Sequence, residues 1–338
     1  MSSVFIVKVG AKTPLGLSAL QTGFLLRAGF PALGEAPLAN ASGEAITMGW
    51  VPTIDPRLTS SERLAELAEA PFMEAIEPVR DATVEIYIAL DEACEDVAAA
   101  SWLLKAMVTR ALPGAKAVTV EARGEAAPAV FLPMGIRALE ARQADVVVIG
   151  GVHSDYDPRA IQALEAGGRL FSRENLDARI PGEAAAFFAL MRRSDAARRG
   201  LSPLARVLGV GKGRESARPN NDEPAFAAFG LTAAVREATG SLARDGKTAG
   251  WFLTDMTGEV RRINEWQATF ARVQEVLGRP YWIESPAHRI GYLGAAAMPL
   301  FAAIAATAWE HGYAPASVAL STAGTDGGDR AALVLEKT

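Results

Sequence analysis

The chain has 338 residues, 50% of them hydrophobic, and a net charge of −5. That length allows a large buried core, as one big domain or as two fused similar halves, and the acidic balance lacks the basic patch that a nucleic acid or anionic membrane would require. No run of 18 apolar residues offers a membrane span, and the single cysteine, Cys94, excludes an intramolecular disulfide and a cysteine metal cluster, so a reducing cytoplasm is the expected setting.

In chain order, residues 4–10 (VFIVKVG) read as a buried strand rather than a signal peptide, because no basic lead-in precedes them. A turn at Thr13-Pro14-Leu15-Gly16 leads into a helix over 17–27. Residues 28–82 are rich in Pro, Gly and Ala and form a long excursion around one helix, 60–75. A strand over 84–90 and a helix over 95–112 follow. The densest signal is residues 115–151: a strand at 117–120, a bend at Arg123-Gly124-Glu125, an apolar helix over 126–142, and a buried strand over 145–149 closed by Gly150-Gly151. The bend sets Glu125 at a helix N-terminus, where free N–H groups and the helix dipole favour ionisation of a carboxyl.

An irregular section contains Arg169-Leu170-Phe171-Ser172-Arg173. Gly182-Glu183-Ala184-Ala185 then opens a strand running to Met191. The charged, turn-rich stretch 192–203 marks a boundary between two halves, 1–198 and 199–338. The second half reads as strand 205–209, a loop through Pro224, helix 226–244, strand 250–254, helix 260–277, strand 281–284, helix 295–311, and strands 317–321 and 331–336. Each half alternates strands and helices and ends in adjacent strands, which predicts an α/β protein with parallel-rich sheets covered by helices. Periodicity alone leaves several such folds open.

Several segments resemble the β-ketoacyl-acyl-carrier-protein synthases, condensing enzymes of the thiolase superfamily. The opening strand with its Thr-Pro-Leu-Gly turn is similar to theirs. So are Ala144-Asp145-Val146 with Gly150-Gly151, the Gly182-Glu183-Ala184-Ala185 strand, Gly294-Ala295-Ala296, and the loop Gly324-Thr325-Asp326-Gly327-Gly328. The resemblance implies a thiolase-like duplicated αβαβα five-layer fold without a cofactor or bound metal. It also implies a homodimer or heterodimer paired through the strand at 117–121, with an acyl carrier protein or an active ketosynthase as partner.

The family works with one Cys and two His residues. Counting from the quoted motifs places Glu125 at the Cys position, Asp255 at the first His, and Gly291 at the second, or Tyr292 if one residue is deleted. His288 misses that position by three residues. Thr257 aligns with the family Thr after the first His. Asp326 replaces the Phe of the Gly-rich loop that, with Gly327 and Gly328, would supply an oxyanion N–H. Convergence of Glu125, Asp255 and Asp326 would make the three acids share protons, pair with Arg or hold a hard cation, with Arg123 and Arg289 as candidate partners.

Other chemistry-bearing residues carry less. Cys94 sits in an acidic setting that raises a thiol pKa. His153 and His311 lack ligand spacing with each other and with His288. Gly209-Val210-Gly211-Lys212-Gly213 lacks both the Walker spacing and the GxGxxG pattern. A wholly different α/β enzyme would require the ordered motif matches to be coincidence; two functions follow from the resemblance. One is a divergent, noncondensing ketosynthase-like subunit that binds a partner or an acyl ligand. The other is an active acyl-thioester enzyme, an acyltransferase or decarboxylase, using Glu125 and Asp255 as acid and base. An open pocket between two acids of well-separated pKa favours the second, whereas a pocket filled by Met256, Tyr292 and Phe131 counts against it.

Overall fold

A computed structural model of the chain describes residues 4–219 and 226–338; residues 1–3 and part of the loop expected through Pro224 lie outside the described residues. The first part of the chain runs β1 (Val4–Lys12), α1 (Ala19–Arg27), β2 (Gly34–Ala39), β3 (Ala45–Met48), α2 (Ser60–Ile76), β4 (Val84–Leu90), α3 (Val97–Ala111) and β5 (Ala117–Ala122). It continues with α4 (Pro128–Glu140), β6 (Val146–Ser154), α5 (Pro158–Ala166), β7 (Glu183–Arg192) and α6 (Arg193–Arg198). Then come β8 (Ala205–Arg214), α7 (Phe229–Asp245), β9 (Ala249–Thr254), α8 (Val260–Arg272), β10 (Leu277–Glu284), α9 (Ala287–Ile290), α10 (Ala297–Glu310), β11 (Val318–Gly324) and β12 (Asp329–Lys337).

Ten strands join in the order β10-β9-β11-β12-β8-β1-β7-β6-β4-β5. The junction between β1 and β8 rests on Phe5 opposite Arg206 and Ile6 opposite Ala205. On either side of it the strands repeat one plan. In each group the second strand in chain order lies between the third and fourth and is parallel to both. The fifth lies antiparallel between the fourth and the first. This repeated order is the duplication.

Alternation along the strands explains the layering. In β6, Val147 and Ile149 face a core shared with α4 and α10, and Val146 and Val148 face a second core shared with α2 and α3. In the other group Trp251, Leu253, Leu333 and Leu335 join the α4/α10 core, while Phe252, Leu320 and Val334 pack with α7. The result is five layers: α2 and α3, a sheet, α4 and α10, a sheet, and α7 with α8. In α10 every residue except Glu310 is buried, as expected for a helix covered on both faces.

The structure departs from the sequence expectations at several elements. The Pro- and Gly-rich excursion holds the hairpin β2–β3, whose register shifts between Glu35 and Ala39. Helix α5 lies inside the section expected to be irregular; Asp157 caps it, accepting from Arg159 N at 2.8 Å. The helix expected over 260–277 stops at Arg272, and β10 begins at Leu277. Pro280 fits inside β10 because that strand is a sheet edge and its register with β9 shifts between Leu277 and Trp282. Among the described residues, no helix is long and apolar enough to cross a membrane.

Candidate functional site

The site begins at the end of β5. Gly124 takes φ +59, a left-handed value that glycine adopts without strain, and turns the chain through a short 3-10 turn into α4. Glu125 falls on that turn and is 3% exposed. From the segment after α9, the Tyr292 hydroxyl donates to Glu125 Oε1. Arg179 stacks over the Tyr292 ring, its guanidinium carbon 3.9 Å from the centroid. The His153 ring meets the same tyrosine edge-on, with centroids 4.9 Å apart.

The second repeat brings Arg262, in the first turn of α8. Its Nη1 lies 2.6 Å from Asp255 Oδ2, and its Nη2 lies 3.3 Å from Asp326 Oδ1 and 3.6 Å from Glu125 Oε1. Glu125, Asp255 and Asp326 therefore converge, and a buried guanidinium sits among them. Arg169 adds a two-pronged contact to Asp326 at 2.6 and 3.1 Å and bonds Glu259 Oε1 at 2.7 Å. The suggested partners lie elsewhere: Arg123 pairs with Glu121, and Arg289 donates to the Leu26 carbonyl at 3.2 Å.

Burial decides the charge states. Desolvation pushes the Glu125 pKa up to about 7, against the pull of Arg262 and with help from Asp91 and Asp326. The sequence expectation of ready ionisation is thus reversed, because burial outweighs the pull of Arg262 and the Tyr292 hydrogen bond. Burial also raises Asp255, although Arg262 and the Gly324 N–H, 2.8 Å from its Oδ2, oppose the shift. Burial disfavours charge on Asp326 too, but Arg262, Arg169 and Arg179 hold its pKa well below the usual carboxylate range. His153 shows the opposite balance. Burial opposes its charge, yet Asp91 and Asp155 on its two ring nitrogens raise its pKa to about 10.

Glu125, Tyr292 and Asp326 line a cavity of about 940 Å³, together with His153, Arg169 and Arg179. Asp255, Thr257 and His288 do not line it. Thr257 is buried and donates to Glu259 Oε2 at 3.0 Å. His288 is exposed, with Nε2 3.4 Å from the Thr257 carbonyl. In the glycine-rich loop, Gly327 N–H donates to Glu92 Oε2 at 2.8 Å, and Gly328 N–H to the Thr325 carbonyl at 3.2 Å. Phe131 is in the central core, and neither it nor Met256 fills the cavity. Cys94 is on the cavity wall, its thiol pKa raised by burial and then by Asp91. Sequence reading missed His153, Arg169, Arg179, Arg262 and Glu92 as members of one cluster. The sequence marked Arg169 only as part of the irregular run Arg169-Leu170-Phe171-Ser172-Arg173.

Neither a family model nor a curated protein matches the sequence. Solved structures do. A chain of "AntDE:AntF (apo): type II PKS acyl-carrier protein in complex with its ketosynthase bound to the hexaketide" superposes with TM-score 0.83 over 99% of both chains, at 14% identity. "The ishigamide ketosynthase/chain length factor" gives 0.82 over 99% of both, at 17% identity. A ketosynthase from module 6 of the bacillaene synthase of Bacillus subtilis 168 gives 0.80 over 99% of this chain and 72% of that one, at 15% identity. The chain has the ketosynthase fold. Within this ketosynthase fold, the cavity wall offers a carboxyl that gains and loses its proton near neutral pH, a tyrosine hydroxyl bonded to it, and an ionised aspartate held by three arginines.

Proposed function

We propose that this protein is a noncondensing subunit of the ketosynthase fold, which binds a partner protein or an acyl-type ligand. The observation that carries the reading is Glu125 on the β5–α4 bend, held by Tyr292 and Arg262 where the resemblance calls for a thiol. A carboxylate is a poor nucleophile for a thioester, and among the described residues neither a thiol nor an imidazole is bonded to it. The Gly327 N–H, which the resemblance would assign to an oxyanion, already serves Glu92. The partner is an active ketosynthase, a second copy of this chain or an acyl carrier protein. Pairing with a ketosynthase or a copy would use β5, a free edge of the sheet. Two neighbours support this choice of partners: one is described as a ketosynthase/chain length factor, the other as a carrier protein with its ketosynthase.

A second reading is kept because Glu125 titrates near pH 7 on the wall of an open cavity. In that reading Glu125 is the acid/base group of an acyl-thioester enzyme. Asp255, outside the cavity and tied to Arg262, supports it only by position. Incubation with malonyl- and acyl-loaded carrier protein, followed by mass spectrometry, separates the two. The proposal expects carrier binding or none, without decarboxylation, condensation or covalent acylation. Turnover that Glu125→Ala abolishes would overturn it in favour of the second reading.

A further inference from the structure

A second cavity, of about 370 Å³, lies on the other side of the β5–α4 bend. This falls within the range of about 300–1,000 Å³ typical of small-molecule sites. Its floor is apolar, made by Ala126, Ala129 and Val130 around the first turn of α4. Its rim is cationic: Arg123, Lys212, Arg214 and Arg330 face a single acid, Asp329. The chain as a whole carries −5, so positive charge is concentrated here against the average. The large cavity shows the reverse, with Asp91, Glu92, Glu95 and Asp96 among its many lining acids.

The four cations differ in freedom. Arg330 is 3% exposed and fixed by the buried Glu265 Oε1 at 2.6 Å, so it is a rigid wall whose charge is already paired. Arg123 and Arg214 pair with Glu121 and Asp329 at the surface, where water weakens such pairs and an incoming anion competes on equal terms. The Lys212 side chain has no hydrogen-bond or ion-pair partner among the described residues. Its backbone N–H is the group that meets Glu237, at 2.9 Å.

We propose that this pocket is a binding site for a small amphiphilic anion: a carboxylate or phosphate head between Lys212, Arg214 and Arg123, with a short apolar tail on Ala126, Ala129 and Val130. This goes beyond the function proposed above and does not depend on it. Calorimetric titration of the full chain with octanoate, octyl phosphate and octylammonium tests it. Both anions, or one of them, should bind, and octylammonium should not; the tighter anion names the head group. Raising NaCl from about 50 to about 500 mM should weaken binding. The double variant Lys212→Gln/Arg214→Gln should lose roughly tenfold in affinity, because charged hydrogen bonds are removed, while melting normally, because both side chains are exposed. Equal binding of octylammonium, unchanged affinity in the folded double variant, or no binding of either anion would overturn the proposal.

Discussion

Glu125 is governed by two opposed influences, and burial is the larger. In the unfolded chain its carboxyl ionises near 4.5, whereas in the fold it holds its proton up to about pH 7. The folded state therefore binds an extra proton between these values. The stability contributed by the neutral carboxyl is complete below pH 4.5 and is lost as pH rises through 7, a change on the order of 3 kcal/mol. Between pH 5 and pH 8 the unfolding midpoint of the wild type should fall further than that of Glu125→Gln. Parallel profiles would show that another group titrates.

Arg262 is the second decisive residue. Replacing it with Met leaves Asp255, Asp326 and Glu125 without their shared cation. Denaturant unfolding should show a loss of about 3–5 kcal/mol, as when one member of a buried ion network is removed. The bend carrying Glu125 was legible in the sequence, because strand, glycine turn and helix are local signals. Arg262, Arg169, Arg179 and His153 were not. They reach the same point from three segments, β6, the α5–β7 connection and α8, and the pairing of charges across such distances leaves no periodic trace.

Among the elements, β8 shows how one pattern supports opposite readings. Gly209-Val210-Gly211-Lys212-Gly213 resembles a phosphate loop at a glance, but it is strand backbone pressed against α7. A Cβ on Gly209, Gly211 or Gly213 would lie about 2 Å from the carbonyl oxygen of Ala238, Ala234 or Gly230. The alternating glycines let helix and sheet approach closely. Gly211→Val should cost about 3 kcal/mol, as overpacking does. Gly240→Ala, in α7 where a Cβ meets open space, should instead gain about 0.5–1 kcal/mol. Thermal melts of the two variants check both signs. Apolar periodicity marked most other elements in place. It could not mark β2–β3 or α5, the first because its run is short and proline-bearing, the second because α5 buries only Ile161 and Leu164.

The whole molecule ends in two free edges, β5 and β10, which occupy the same rank in the two repeats. The proposed partner contact uses β5. A lysine in its middle, Thr119→Lys, would blunt that edge without disturbing a core. Light scattering should give a dimer mass for the wild type, alone or with its partner, and a monomer mass for the variant with unchanged circular dichroism. A wild type that stays monomeric with every candidate partner would remove the contact. The alternation of strands and helices in each half was legible. Its closure into five layers was not, because periodicity does not say which face of a sheet a helix covers. The ketosynthase resemblance supplied that expectation.

The middle layer has one more consequence. Helix α10 belongs in sequence to the second repeat but is buried by both sheets, as is much of α4. A single repeat made alone would present that apolar helix to water and would need another copy to cover it. Its folding would then depend on how much of it was present, since half-molecules must meet before either is complete. Joining the two repeats in one chain removes that dependence. The central layer assembles at any dilution, and it does so without using the outer edges β5 and β10.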